Sequence, residues 1–153
     1  MDKKEKKMSK ADIAIENFIG YNCAQSVLAA YASGYDLEKD KALSIAAGFG
    51  AGMGRVQEVC GAVSGAIMTL GLSSGFKETD GREKINAVYA KVHRFMDEFA
   101  AKEGSVKCRD LLEGCDLASE EGQKIFKDKN LKENCRRYVR LCCELLDKYL
   151  ADT

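Results

Sequence analysis

Apolar residues recur three and four positions apart through most of this chain and proline is absent, a combination that predicts a mainly helical protein. Ser9, with Asp12 three residues on, marks the start of a first helix running to about Ile19. Asn22 and Gln25 repeat that signal just after Gly20. A second helix should therefore start there and run through Val27, Leu28 and Tyr31 to a stop at Ser33-Gly34, with Cys23 in its first turn. A third is expected from about Leu37 to Ala47. Ile85, Val88, Tyr89, Val92, Phe95, Met96 and Phe99 define the clearest amphipathic segment, from Asp80 to Ala101. Ser105 to Leu112 reads as a short capped helix closed by Gly114. Leu131 to Leu150 reads as a long final helix carrying Cys135, Val139, Cys142, Leu146 and Tyr149 on one stripe.

Two segments break this periodicity. The run from Gly48 to Arg55 alternates glycine with other residues, which suits neither helix nor strand and predicts a shaped loop. Beyond it, Val59 to Leu72 places Gly61 and Gly65 four apart, and Ala62 and Ala66 four apart. The result is a helix face flat enough for another backbone to approach closely. The uncharged stretch from Val59 to Phe76 holds too many glycines, serines and threonine for a membrane span and reads as a buried helix. The expected fold is all-α, a single compact bundle of about six helices with a glycine-rich interhelix loop. Residues 1–8 are expected to form a disordered charged tail and 9–153 a single helical redox-type domain.

Composition narrows the function more than the fold. Lys plus Arg equals Asp plus Glu, giving zero formal net charge and no field to draw nucleic acid or an anionic membrane surface. The basic start, Asp2 to Lys7, is not followed by an apolar core and does not read as a signal peptide, so a cytoplasmic, reducing compartment is expected. Seven cysteines is high usage, and an odd number cannot all pair within one molecule. In that setting thiols serve redox, metal or packing roles.

Three cysteines fall at expected helix starts: Cys23 after Asn22, Cys60 at the head of the small-residue helix, and Cys108 just after Ser105. Partial positive charge and free amides at a helix start favour thiolate, and can lower a cysteine pKa from about 8.5 to about 7 or less. Lys107 and Arg109 flank Cys108, and Arg136 and Arg137 follow Cys135, adding cations in sequence. Packing is the competing reading for each thiol and the favoured one for Cys142 and Cys143. Cys142 lies about 10 Å along the helix from Cys135, too far for a direct disulfide. Cys115 has no supporting motif and reads as a bystander. His93, the only histidine, lies beside an apolar stripe and reads as structural. In the glycine run, Gly50, Gly52, Gly54 and Arg55, with Gly61 beyond, are candidates for holding a bound anion or cofactor through backbone amides. A tight corner between packed helices is the alternative.

Tyr21-Asn22-Cys23-Ala24-Gln25, Cys60-Gly61-Ala62-Val63-Ser64-Gly65, Cys108-Arg109-Asp110-Leu111-Leu112 and Cys135, in that order, resemble the family of redox-active proteins named for its C, CGAxxG, C, C pattern. The resemblance spans nearly the whole chain and implies that Cys23, Cys60, Cys108 and Cys135 are the functional set, leaving Cys115, Cys142 and Cys143 as extras. It also implies a link to a transport system, since family members tend to be encoded near transporter genes.

Three functions suit that set. The first is thiol–disulfide exchange or electron transfer with an unidentified redox partner, which would make the chain a thiol–disulfide oxidoreductase. A Cys23–Cys60 bridge would stabilise the oxidised form by roughly 4 kcal/mol. No Cys-x-x-Cys pair is present, so the resolving thiol must come from elsewhere in the chain. The second is zinc or an iron–sulfur cluster held by the same four sulfurs, against which the wide spacing counts. The third is a non-enzymatic interaction module, such as a homodimer built on the small-residue helix, in which the cysteines only pack.

Overall fold

The computed structural model describes residues 7–151. It contains eight right-handed α-helices: α1 Lys10–Asn17, α2 Cys23–Ala32, α3 Lys39–Ala46, α4 Gly61–Ser74, α5 Arg82–Glu103, α6 Cys108–Leu111, α7 Glu120–Asp128 and α8 Lys132–Ala151. The all-α class agrees with the sequence pattern, but the count exceeds the expected six or so. Helix α7 escaped the periodicity because Ile125 and Phe126 are its only apolar side chains and are adjacent, although Ser119 caps it by accepting from the Gly122 amide. Most of the expected charged tail, residues 1–6, lies outside the described residues; Lys7 and Met8 are exposed.

Both early helix starts form as their capping residues dictate. Ser9 accepts from the Asp12 amide, and Asn22 and Gln25 complete a reciprocal capping box in which each side chain satisfies the other residue's amide. Helix α1 ends two residues short of Ile19, which is left exposed. A 3-10 turn, Ser33–Tyr35, closes α2 where Ser33-Gly34 signalled a stop.

The hydrophobic core lies among α1, α2, α4 and α8, with Phe95 and Phe99 of α5 completing it. Helices α2 and α4 make the most extensive contact in the molecule. Gly65 permits it: a Cβ there would stand 2.7 Å from the Ala24 carbonyl oxygen and 3.1 Å from Val27 Cβ. Helix α5 departs from its expected stripe. Only Phe95 and Phe99 are fully buried, while Tyr89 is 61% exposed, so its first turns extend beyond the core. Helix α8 keeps its stripe, burying Val139, Cys142, Leu146 and Tyr149.

The glycine run is the least ordinary backbone in the molecule. After a 3-10 turn, Ala47–Phe49, the chain coils left-handed: Ala51 (φ 53°, ψ 40°), Gly52 (64°, 50°), Met53 (70°, 79°), Gly54 (φ 59°) and Arg55 (71°, 13°). The Arg55 amide donates to the Ala51 carbonyl at 3.1 Å, closing one turn of the wrong hand. L-residues resist this geometry by roughly 1–2 kcal/mol each, a cost that falls on Ala51, Met53 and Arg55. The turn is pinned where Gly52 meets the chain on either side: its carbonyl accepts from the Glu58 amide, and a Cβ on it would stand 2.6 Å from Gln57 Cα and 2.7 Å from Cys108 Cβ.

A short antiparallel bridge between Val59 and Lys107 then ties this loop to the segment before α6. The Cys60 amide donates to the Val106 carbonyl at 2.8 Å and the Cys108 amide to the Glu58 carbonyl at 2.7 Å. Side chains alternate faces along such a pairing, so Cys60 and Cys108 emerge on the same face.

Candidate functional site: a cavity lined by four cysteines

Each cysteine of the expected set sits at a helix start. Cys23 is the first residue of α2, Cys60 the N-cap of α4, Cys108 the first residue of α6 and Cys135 lies in the first turn of α8. The four side chains line one apolar cavity of about 160 Å³, closed by Phe18, Leu112, Phe126 and Tyr138 among others. Residues spread over more than a hundred positions of sequence thus meet because three packing events coincide. Helix α2 lies against α4, the Val59–Lys107 bridge pairs the Cys60 and Cys108 segments, and Cys135 packs against both the main core and the smaller cluster around Cys108.

Cys23 occupies the middle of this arrangement. Its sulfur rests on Gly61, where a Cβ would stand 2.3 Å away, so the glycine following Cys60 leaves room for the facing thiol. The amides of Ala51, Ala24 and Ala62 all point at it. One of those donors, the Ala51 N–H, belongs to the left-handed turn. Cys23 is also an electrostatic neighbour of each of Cys60, Cys108 and Cys135.

The thiols are not acidic at rest, contrary to what their helix-start positions suggested. Burial, which penalises the charged form, is the largest influence on every one and moves all four upward. Cys108 is pushed up to about 11 and Cys135 to about 12, and Cys60 lies well above the usual range. For Cys23 the surrounding amides oppose burial without reversing it. The cations expected to help are mostly turned away. Arg136 pairs with Glu133, Arg137 with Glu103, and Arg109 donates to the Val56 carbonyl; only Lys132 favours the Cys135 thiolate.

Of the five positions expected to hold a bound group, Gly61 lines the cavity. Gly50 is packed against the Asn22 side chain and Gly52 against Gln57 and Cys108, Gly54 is exposed in the left-handed turn with nothing packed beside it, and Arg55 borders a separate polar cleft with Arg109 and Asp116. Cys142 and Cys143 are fully buried in the core and His93 is exposed, paired with Asp97. Among the described residues, no three Cys, His, Asp or Glu side chains gather closely enough to hold a metal ion. No helix among them is long and apolar enough to cross a membrane.

Sequence reasoning missed Gln57. It is 3% exposed with φ +64°, its side-chain amide donates to the Cys115 carbonyl at 2.7 Å and accepts from the Leu117 amide at 2.9 Å, and it reaches the Cys108 thiol. Nothing in the local pattern marks it, since its partners lie about sixty residues away.

Fold and site together define an all-helical protein with a thiol-lined cavity at the meeting point of its helix starts. A family model described as "Putative redox-active protein (C_GCAxxG_C_C)" matches residues 21–149, and the chain belongs to that family. Neither the curated proteins nor the solved structures yield a match.

Proposed function

We propose that this protein exchanges electrons through thiol–disulfide chemistry at Cys23, Cys60, Cys108 and Cys135, with Cys23 as the sulfur the others reach. The observation that carries this reading is the shared cavity: four thiols from four separate segments line one apolar space with Cys23 at its centre. Packing alone needs no cavity.

In the proposed step the Cys23 thiolate attacks a disulfide on a partner, forming a mixed disulfide and releasing one partner thiolate, which takes up a proton. The amides of Ala51, Ala24 and Ala62 receive the negative charge on Cys23 as it forms, in the manner of an oxyanion hole. The Cys60 thiolate then attacks the Cys23 sulfur, closing a Cys23–Cys60 bond and freeing the second partner thiolate. Two electrons pass from the protein to the partner, two protons leave the protein thiols, and a partner dithiol runs the sequence backwards. Cys60 is only 6% exposed, which suits a resolving thiol screened from solvent, while Cys23 keeps part of its surface open. A cytoplasmic setting, where reduced thiols persist, belongs to the same proposal.

Zinc or an iron–sulfur cluster is the weaker reading. Zinc–sulfur bonds of about 2.3 Å require sulfurs nearly in contact, and the described residues offer no such ready-made set. The test is a redox titration of the full chain in buffers of reduced and oxidised dithiol, with free thiols counted by mass after alkylation and metal content measured alongside. The count should fall from seven by pairs, and Cys23→Ser should remove the first step. Seven free thiols across the whole range would overturn the proposal, and bound metal that protects the thiols would favour the alternative.

A further inference from the structure

Cys115 lies outside the family's four-cysteine pattern and its sequence context suggested no role. Its placement says otherwise. The one-turn helix α6 ends in a Schellman arrangement: the Glu113 amide donates to the Asp110 carbonyl, the Gly114 amide to the Arg109 carbonyl at 2.8 Å, and both residues are left-handed, at φ 60° and 77°. This reverses the chain at once, and Cys115 folds back into the same small apolar cluster as Cys108, with Leu112 and Leu131.

Both residues are nearly inaccessible, at 7% exposure each, and Cys115 is an electrostatic neighbour of the Cys108 thiol. One side chain serves both. The Gln57 amide donates to the Cys115 carbonyl and also reaches the Cys108 sulfur. The Cys115 thiol donates to the Gly122 carbonyl at 2.9 Å, and Gly122 packs so closely on the Asp116 carbonyl that a Cβ would stand 1.7 Å from it, so α7 is seated directly over this sulfur.

We propose that Cys108 and Cys115 form a second, internal dithiol that accepts oxidation from the Cys23–Cys60 pair, with Gln57 as the residue positioning both. The proposal rests on the redox reading above. The Cys108 thiolate attacks the Cys23 sulfur of the Cys23–Cys60 disulfide; a Cys23–Cys108 bond forms and Cys60 leaves as thiolate and is protonated. The Cys115 thiolate then attacks the Cys108 sulfur, a Cys108–Cys115 bond forms and Cys23 leaves as thiolate and is protonated. Two thiols are oxidised, one disulfide is reduced, and no external oxidant enters. The cavity pair is thereby restored for a second turnover, so the protein stores four electrons instead of two.

The test is a disulfide map of the full chain treated with one and then two equivalents of diamide, acid-quenched, alkylated and digested with trypsin. Cleavage after Lys107, Arg109 and Lys124 separates the two sulfurs, so their bond joins the dipeptide 108–109 to peptide 110–124. The expected result is that this linked species follows the Cys23–Cys60 bond within the first equivalent, and that both bonds are present at the second, as free thiols fall from five to three. Cys115→Ala, checked for unchanged helical circular dichroism, should lose the first pair and halt there. If the first pair forms while Cys115 stays fully alkylated, or if Cys115→Ala still loses a second pair, the second dithiol is overturned and the redox reading stands. If no bond forms at all, both fall together.

Discussion

Two sets of cysteines in this molecule are almost equally buried and, although Cys142 is an electrostatic neighbour of Cys60 and Cys23, differ in the space around them. Cys60 and Cys108 line a cavity shared with Cys23 and Cys135, among backbone amides and beside glycines that leave room for a sulfur to move. Cys142 and Cys143 sit at 0% exposure on α8, enclosed by core side chains, and neither lines that cavity. On the proposed reading, burial does not separate an exchanging thiol from a packing one; a place on the shared cavity does. The left-handed turn, which costs several residues their preferred geometry, presents an amide to Cys23.

The strongest way to break this comparison is to remove the space. Gly61→Ala drives a methyl to within bond-forming distance of the Cys23 sulfur, so one of the two must move. Overpacking of this kind costs on the order of 1–3 kcal/mol. Loss of the first oxidation step should accompany a lowered denaturation midpoint; a variant that titrates like the parent would show that Cys23 and the α4 start need not be in contact.

Exchanging sulfur for oxygen separates stability from redox chemistry, and so discriminates more. Cys142→Ser places a hydroxyl in a fully apolar site and should lower stability by about 1–3 kcal/mol while leaving the redox steps intact. Cys23→Ser, at a part-open position ringed by amides that a hydroxyl can satisfy, should change stability less and abolish the first step. Urea denaturation beside thiol counting reads both, and the reverse pattern would mean that the wrong sulfurs line the working site.

The mildest probe is pH. Thiols whose folded pKa lies above the unfolded value hold their proton longer in the native state. Their stabilising contribution is complete below about pH 8.5, the usual thiol value, and declines as pH climbs toward the values near 11 for Cys108 and 12 for Cys135. Stability should therefore fall steadily above pH 9. Alkylation of the native protein should be slow at pH 7 and accelerate over the same interval, Cys23 reacting first and Cys142 last. A thiol that reacts rapidly at pH 7 would contradict the assigned burial effects.

How far the sequence reached follows the range of the interactions involved. Ser9 and Asn22 announced their helices because capping is decided within three residues, and Gly61 and Gly65 announced a close helix contact because their spacing is local. The order and context of Cys23, Cys60, Cys108 and Cys135 were enough to nominate them. Their pKa direction was not legible, since a helix start and its neighbouring charges are visible in sequence whereas burial is a property of the assembled core. The handedness of Ala51 to Arg55 was equally hidden: glycines at alternate positions permit a left-handed turn, but only the contacts of Gly52 with Gln57 and Cys108 impose it. Gln57 and Cys115 escaped for the same reason, being defined by partners far along the chain.

The central claim is that Cys23 and Cys60 are the first sulfurs to join, and a peptide map at one oxidising equivalent addresses it most directly. Trypsin places Cys23 in peptide 11–39, Cys60 in 56–77 and the α8 pair in 141–148. The account predicts that the earliest disulfide links 11–39 to 56–77 while 141–148 is recovered fully alkylated. A first bond that involves peptide 141–148, or a chain that keeps all seven thiols free, would contradict it.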